Sequence, residues 1–436
     1  MIKCLVILTI FFTFSCQQKQ EANSSERINM LAERYVRLGL LIGQYDGDFV
    51  DAYYGPDSLR PSAIKQTTFP KDGLLREVNL LINELKSIGS IKNDSLTYRS
   101  DWMISQLTAF SRRIKIFAGE YNSFDGESKE LFGVTAPVYD QKHFQLLLTR
   151  LDSVLPGKGN ISARFEQLSN RFIIPVDKLD TVFKTTIAEA RKRTVSHYTL
   201  PSNESFTLEY VRDKPWSGYN WYKGGYNSII QINTDLPIFI DRAIDLACHE
   251  GYPGHHVYNM LLEENIYRRK GWVEISLYPL FSPQSMIAEG SANFGIEVAF
   301  PGENQLHFIS DVLLPLAGLD TIGIKEYMSA LLIKSKLNYA RNEAARGLLN
   351  GTMTEAASIK WLTDYALYTN EAAIKSIKFI NKYRSYVINY NYGMDLVKNY
   401  IESKGGADMP KEKRWELFKW LLSNEIIPTD LMPGKP

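Results

Sequence analysis

The sequence predicts a mainly α chain, and three observations predict it. From Glu26 onward, apolar residues recur at helical spacing: Ile28, Leu31, Tyr35 and Leu38 in one segment, Trp102, Leu107 and Phe110 in another. Similar periodic stretches cover 73–88, 139–153, 177–194, 323–349, 354–366 and 369–382, divided by short turns of Gly, Pro, Asn or Ser. At 436 residues, 44% hydrophobic and 12% aromatic, the chain can bury a large core, which excludes a disordered polypeptide.

The exceptions to helical patterning are SFTLEYVRD (205–213) and NSIIQINTD (227–235), rich in β-branched and aromatic residues. They predict two strands around the loop KPWSGYNWYKGGY (214–226). After them Asp235 is expected to cap a helix that takes Pro237 in its first turn and is apolar on most sides from Ile238 to Ala247. The small β-element therefore precedes a buried helix. A change of texture near residue 200 divides an N-terminal helical lobe, 27–200, from a C-terminal lobe, 201–436.

The first sixteen residues, MIKCLVILTIFFTFSC, hold one lysine, an apolar run and a small residue before a cysteine. A bilayer span needs about 20 apolar residues, so this run suits a secretory signal peptide over 1–15. Thr13-Phe14-Ser15-Cys16 resembles a bacterial lipobox, in which the cysteine is acylated and becomes the mature N-terminus. Phe14 stands where a small residue is usual, which leaves plain secretion as the alternative. Residues 16–26 read as a flexible tether. The expectation is an exported lipoprotein, anchored to the membrane through Cys16 and facing the periplasm or cell surface. Loss of Lys3 with the leader leaves 49 basic and 49 acidic residues, and no Lys/Arg run is dense enough to track phosphates, which excludes nucleic acid as a partner.

Three of the six histidines fall in CHEGYPGHH (248–256). Two imidazoles meet one ion when they lie four apart on a helix, roughly 6 Å along one face. His255 is six on from His249 and His256 is seven on, so a continuous helix serves neither. Pro253 cannot donate to the His249 carbonyl and its ring clashes with it, so the helix breaks there, helped by Gly254. A two-residue excursion would bring His255 into phase, and a three-residue excursion His256. Glu250 points about 100° away from His249, where it reaches an attacking water more readily than the ion. Cys248 reads as a small buried apolar residue. For a His₂Glu zinc site the third ligand comes from SMIAEGSANFGIEVAF (285–300), which offers Glu289, Asn293 and Glu297 at four-residue spacing.

At these residues the chain resembles a bacterial family of uncharacterised domains with a His-Glu-x-x-Pro-Gly-His-His signature and a following Ala-Glu-Gly helix. That family is similar to the α-helical zincin peptidases, such as thimet oligopeptidase, angiotensin-converting enzyme and carboxypeptidase Taq. The resemblance runs from Trp216 to Phe300 and more weakly over Tyr383–Gly393 and DAYYGP (51–56). It implies a bilobed helical domain around a deep channel, a Zn²⁺ cofactor held by His249, His255 and Glu289, and Glu250 as general base. Asn293 stands where related zincins often place an aspartate that orients a ligand histidine, and it brings an acceptor without the charge. His256 is expected to support the ligands from outside.

The family's Tyr-x-x-Gly corresponds to Tyr390 and Gly393, with Tyr390 as oxyanion donor and Arg384 as a grip for a peptide carboxylate. Ile230 and Ile232 lie on the strand that analogy suggests for pairing with an extended substrate. The family's Asp-x-Gly-x-His stretch has no counterpart in ARNEAARGLLNG (340–351). Together these readings imply a zinc-dependent metallopeptidase, a hydrolase of oligopeptides. The rivals are a zinc hydrolase of another amide and a non-catalytic lipoprotein that binds peptide or metal.

Overall fold

The structure, a computed structural model, describes residues 2–434 except 63, 64, 66, 90–93, 215 and 406–408, with side chains from residue 24 onward apart from positions 89 and 94. Its first helix spans Ile2–Tyr45. The side chains of the expected leader, of Cys16 and of most of the tether lie outside the described residues. Among the described residues no helix is long and apolar enough to cross a membrane.

The fold is mainly α. The periodic stretches become the helices Lys71–Gly89, Gln141–Val154, Leu179–Val195, Glu355–Tyr365 and Asn370–Tyr383. Their starts follow from side-chain capping: Asp140 accepts from the His143 amide, Thr354 from Ala357 and Thr369 from Ala372. The stretch 323–349 divides into Ile324–Leu337 and Tyr339–Leu349, because the Asn338 amide turns to the Ser335 carbonyl in a tight turn.

Strand β1 (Val50–Tyr53) pairs antiparallel with β5 (Leu277–Pro279), joining early and late parts of the chain. A second sheet holds β2 (Ser205–Val211), β3 (Gly218–Gly224) and β4 (Asn227–Asn233) in the order β2-β4-β3. This sheet corrects the sequence-based expectation in two places. The expected loop contains β3: its glycines read as turn residues, yet buried Asn220 and Tyr222 alternate with outward-facing Trp221 and Lys223, and β3 runs antiparallel to β4. Strand β4 is consequently central, hydrogen-bonded to parallel β2 on one side and β3 on the other. It has no free edge for a substrate, and Ile230 and Ile232 are buried in the core. Asp235 caps no helix either. It accepts from the Asp213 amide at 2.9 Å, and the helix begins at Ile240 after Phe239 has bridged to Ile173.

The Glu289 helix, Pro283–Ala299, starts at Ser282, whose hydroxyl accepts from the Ser285 amide, with Pro283 in the first turn. It is buried along most of its length and crosses the helix Ile388–Gly405 at two glycines. A Cβ on Gly290 would lie 2.3 Å from the Gly393 carbonyl oxygen, so the backbones meet there only without side chains. This close crossing sets Glu289 and Asn293 against Tyr386 and Tyr390.

Candidate metal centre

The helix Ile240–Leu246 does not stop at the motif. It widens into a π turn over Ala247–Gly251, with the Tyr252 amide bonded to the Ala247 carbonyl and the Gly254 amide to that of Cys248. The chain passes through a cis Tyr252-Pro253 peptide and begins a new helix, His255–Leu262. Gly254 is required by the close return: a Cβ would sit 2.0 Å from the His249 carbonyl oxygen. This path turns His255 onto His249, with 3.1 Å between their Nε2 atoms.

Glu289 completes the cluster. Its Oε2 lies 3.4 Å from His249 Nε2 and 3.8 Å from His255 Nε2. One donor atom from each of the three residues falls within 4.8 Å of the others. The surrounding bonds aim these atoms inward. Asn293 donates its amide N–H to the Tyr390 carbonyl at 2.9 Å, which leaves its Oδ1 to accept from His249 Nδ1–H at 3.0 Å. The His249 lone pair then resides on Nε2. Tyr386 donates its hydroxyl to Glu289 Oε1 at 3.0 Å, while Oε2 is buried with no hydrogen-bond partner among the described residues. Two facing nitrogens and an orphaned carboxylate oxygen are a donor set that fits zinc.

The electrostatics match this reading. Burial lowers the His255 imidazole to about 4, assisted by the charge of His249. Burial also disfavours charge on His249 and Glu289, but their mutual attraction across 3.4 Å outweighs it, so His249 rises and Glu289 falls. Burial, with the charges of Glu289 and Asp51, pushes Glu250 up to about 7 against the pull of His249 and Arg242. The folded metal-free chain thus holds a proton on Glu250 that the unfolded chain releases from its ordinary 4.5, so this group's contribution to stability falls as pH rises from 4.5 through 7. Glu250→Gln in metal-free protein is expected to leave stability unchanged near pH 4.5 and to raise it by about 3 kcal/mol at pH 8. Denaturant unfolding in chelator checks this, and equal differences at both pH values would contradict a desolvated carboxylate.

Of the other predicted residues, His256 is fully buried and faces away from the cluster: its Nε2 lies 3.1 Å from Glu204 Oε2 and its Nδ1 2.8 Å from the Ser228 hydroxyl. Tyr252 donates to the same Glu204 oxygen at 2.6 Å, and Arg191 pairs with the other oxygen. The second histidine therefore braces the sheet and the Tyr252-Pro253 turn without touching a candidate ligand. Tyr390 is half-buried, its ring 5.8 Å from that of Tyr386, and burial followed by the Glu289 charge raises its hydroxyl well above the usual value. Arg384 requires correction. At φ +54° it turns inward, bonds Glu127 Oε2 at 2.7 Å and lies over the Tyr121 ring, so its guanidinium is committed to a buried ion pair.

Sequence reasoning missed four neighbours of the cluster. Tyr386 is the tyrosine that bonds Glu289. Asp51, in DAYYGP, accepts from the Tyr219 hydroxyl, and burial raises its carboxyl to about 6. Arg341 stacks over Phe379 at 4.4 Å with its Nε buried and unpartnered, and its charge is felt at Tyr390. Asp51, Tyr219 and Tyr386 lie within the segments of the family resemblance but drew no role from it, and Arg341 lies in the stretch where the family pattern has no counterpart.

No known family matches the chain, and no curated protein matches it. Solved structures do. A candidate lipoprotein from Colwellia psychrerythraea has 14% identity and a TM-score of 0.51, over 83% of this chain and 68% of that one. A candidate lipoprotein of unknown function from Shewanella oneidensis has 14% identity and a TM-score of 0.44, over 80% and 73%. An M32 carboxypeptidase from Deinococcus radiodurans R1 has 10% identity and a TM-score of 0.43, over 94% of each chain. At these identities the likeness concerns the fold alone, a mainly α fold, and the two scores below 0.5 carry no weight for the chemistry of the site.

Proposed function

We propose that the chain is a zinc-dependent peptidase that hydrolyses oligopeptides, with His249, His255 and Glu289 as ligands and Glu250 as general base. The observation that supports this most is the buried, unpartnered Glu289 Oε2 facing two Nε2 atoms 3.1 Å apart. Zinc there supplies a Lewis acid that polarises the scissile carbonyl and acidifies water. Glu250, balanced near neutral pH, accepts the proton of the attacking water and returns it to the leaving amine. Tyr390 stays protonated and can donate to the oxygen on which charge develops. In this reading the protein is exported and tethered through an acylated Cys16, in keeping with the short apolar leader.

The test is digestion of a mixed-peptide set by the membrane-fraction protein, read by mass spectrometry, alongside the mass of its N-terminal peptide. Fragments whose summed mass exceeds the parent by one water, lost with chelator and restored with zinc, together with an acyl mass on Cys16, are expected. Intact peptides at full zinc content would favour a binding protein, and an unacylated soluble chain would remove the tether.

A further inference from the structure

Arg384 combines two features that the fold alone does not require. The helix Asn370–Tyr383 ends at it, and it takes φ +54° and ψ −123°, a region that favours glycine and that a long side chain keeps only where its surroundings hold it. What holds it is Glu127. Their 2.7 Å ion pair lies in the core, with Arg384 9% exposed and Glu127 fully buried, and the other Glu127 oxygen accepts from the Asn122 amide at 3.0 Å. Well-packed apolar side chains are often as stable as a buried ion pair, and glycine would suit this backbone better.

The turn that Arg384 opens carries Tyr386. Arg384–Val387 form one 3₁₀ turn before the helix Ile388–Gly405, so the residue that Glu127 grips lies two positions from the hydroxyl that donates to Glu289 Oε1 at 3.0 Å. The helix Phe124–Phe132 meets this turn twice. Glu127 takes the guanidinium, and Phe132 sets its ring against that of Tyr386 in a T-shaped contact, with 6.3 Å between centroids. That helix is fixed at both ends, by the Ser123 hydroxyl, which accepts from the Gly126 amide, and by Gly133 at φ +80°. Phe281 and Tyr390 pack on the same phenol ring at 5.9 and 5.8 Å.

We propose that Glu127 and Arg384 are positioning residues for the metal centre, acting through Tyr386, an inference that rests on the zinc reading. The ion pair holds the turn at its positive φ, the turn presents the Tyr386 hydroxyl, and the hydroxyl occupies Glu289 Oε1. The carboxylate is thereby held with Oε2 toward the two imidazoles, 3.4 Å from His249 Nε2 and 3.8 Å from His255 Nε2. Two of the proposed ligands then have their own anchors, Asn293 for His249 and Tyr386 for Glu289.

Zinc dissociation constants, measured by chelator competition on the full chain, test this in a double-mutant cycle. Tyr386→Phe keeps the ring and removes the hydroxyl, and is expected to weaken zinc binding by roughly 10–100-fold. In Glu127→Gln one acceptor oxygen becomes a donor, so the side chain cannot accept from both Arg384 and Asn122, and zinc should weaken by about threefold or more. With both changes zinc should bind no more weakly than in Tyr386→Phe alone, because the ion pair acts on the metal through that hydroxyl. Cobalt(II) in place of zinc gives a second readout. Both single variants should shift the visible d–d band of bound cobalt in the same direction, whereas an ion pair that only stabilises the fold would lower the melting temperature and leave the band of the folded protein in place. Weakening by less than about threefold in either single variant, effects that multiply in the double variant, or an unmoved cobalt band would overturn the proposal. If Glu127→Gln does not fold, Arg384→Lys, which keeps a buried charge opposite Glu127, takes its place in the cycle. Wild-type protein that binds no zinc would undo the metal reading and this inference with it, whereas wild-type affinity retained in the variants undoes the positioning alone.

Discussion

Glu250→Gln is expected to lower peptide cleavage by roughly 10²–10⁴-fold while zinc content stays at the wild-type level. Glu250 follows a proposed ligand without being one, is buried in the π turn, and its carboxylate has no partner among the described residues. A carboxylate so placed is costly to keep, because its charged form is desolvated and faces Glu289 and Asp51. Glutamine has the same shape and none of the basicity, so it removes proton transfer and little else. Cleavage rate and zinc content measured on one preparation separate the outcomes. Loss of cleavage at full zinc fits a general base, and unchanged cleavage at full zinc would remove Glu250 from the mechanism.

The second large effect separates the adjacent histidines. His255→Ala is expected to abolish stoichiometric zinc, because it deletes one of the two inward-facing nitrogens. His256→Ala is expected to keep zinc and to lose stability instead, by about 1–3 kcal/mol, since it strips Glu204 and Ser228 of a buried partner. Metal analysis beside thermal melting checks both. Retained zinc in His255→Ala with loss in His256→Ala would contradict the path of the chain through Tyr252-Pro253-Gly254.

Much of this was legible because local chemistry wrote it. Thr354, Thr369 and Asp140 announce helix starts by their capping oxygens, and the periodicity after each names the buried face. The break at Pro253 was legible too, since a proline that follows a helical carbonyl by four residues must end the ladder. How far the chain swings after it was not, and only the π turn and the return at Gly254 separate His255 from His256. Strand β3 was hidden because Gly218, Gly224 and Gly225 read as a turn, while its pairing partner decides that it is a strand. The neighbours of Glu289 and Glu250 were hidden for a different reason. Tyr386 lies 97 residues from Glu289, and Asp51 comes from the other end of the chain, through β1 and its pairing with β5. Arg384 misled because a guanidinium near a tyrosine suggests a substrate grip, and only the fold reveals Glu127 beneath it.

The most direct test of the metal centre is an anomalous-difference map from crystals of the full chain, collected above and below the zinc absorption edge. A single zinc peak bounded by His249 Nε2, His255 Nε2 and Glu289 Oε2 is the expected result. A peak at His256 and Glu204, or zinc-saturated crystals with no peak between the three residues, would contradict it.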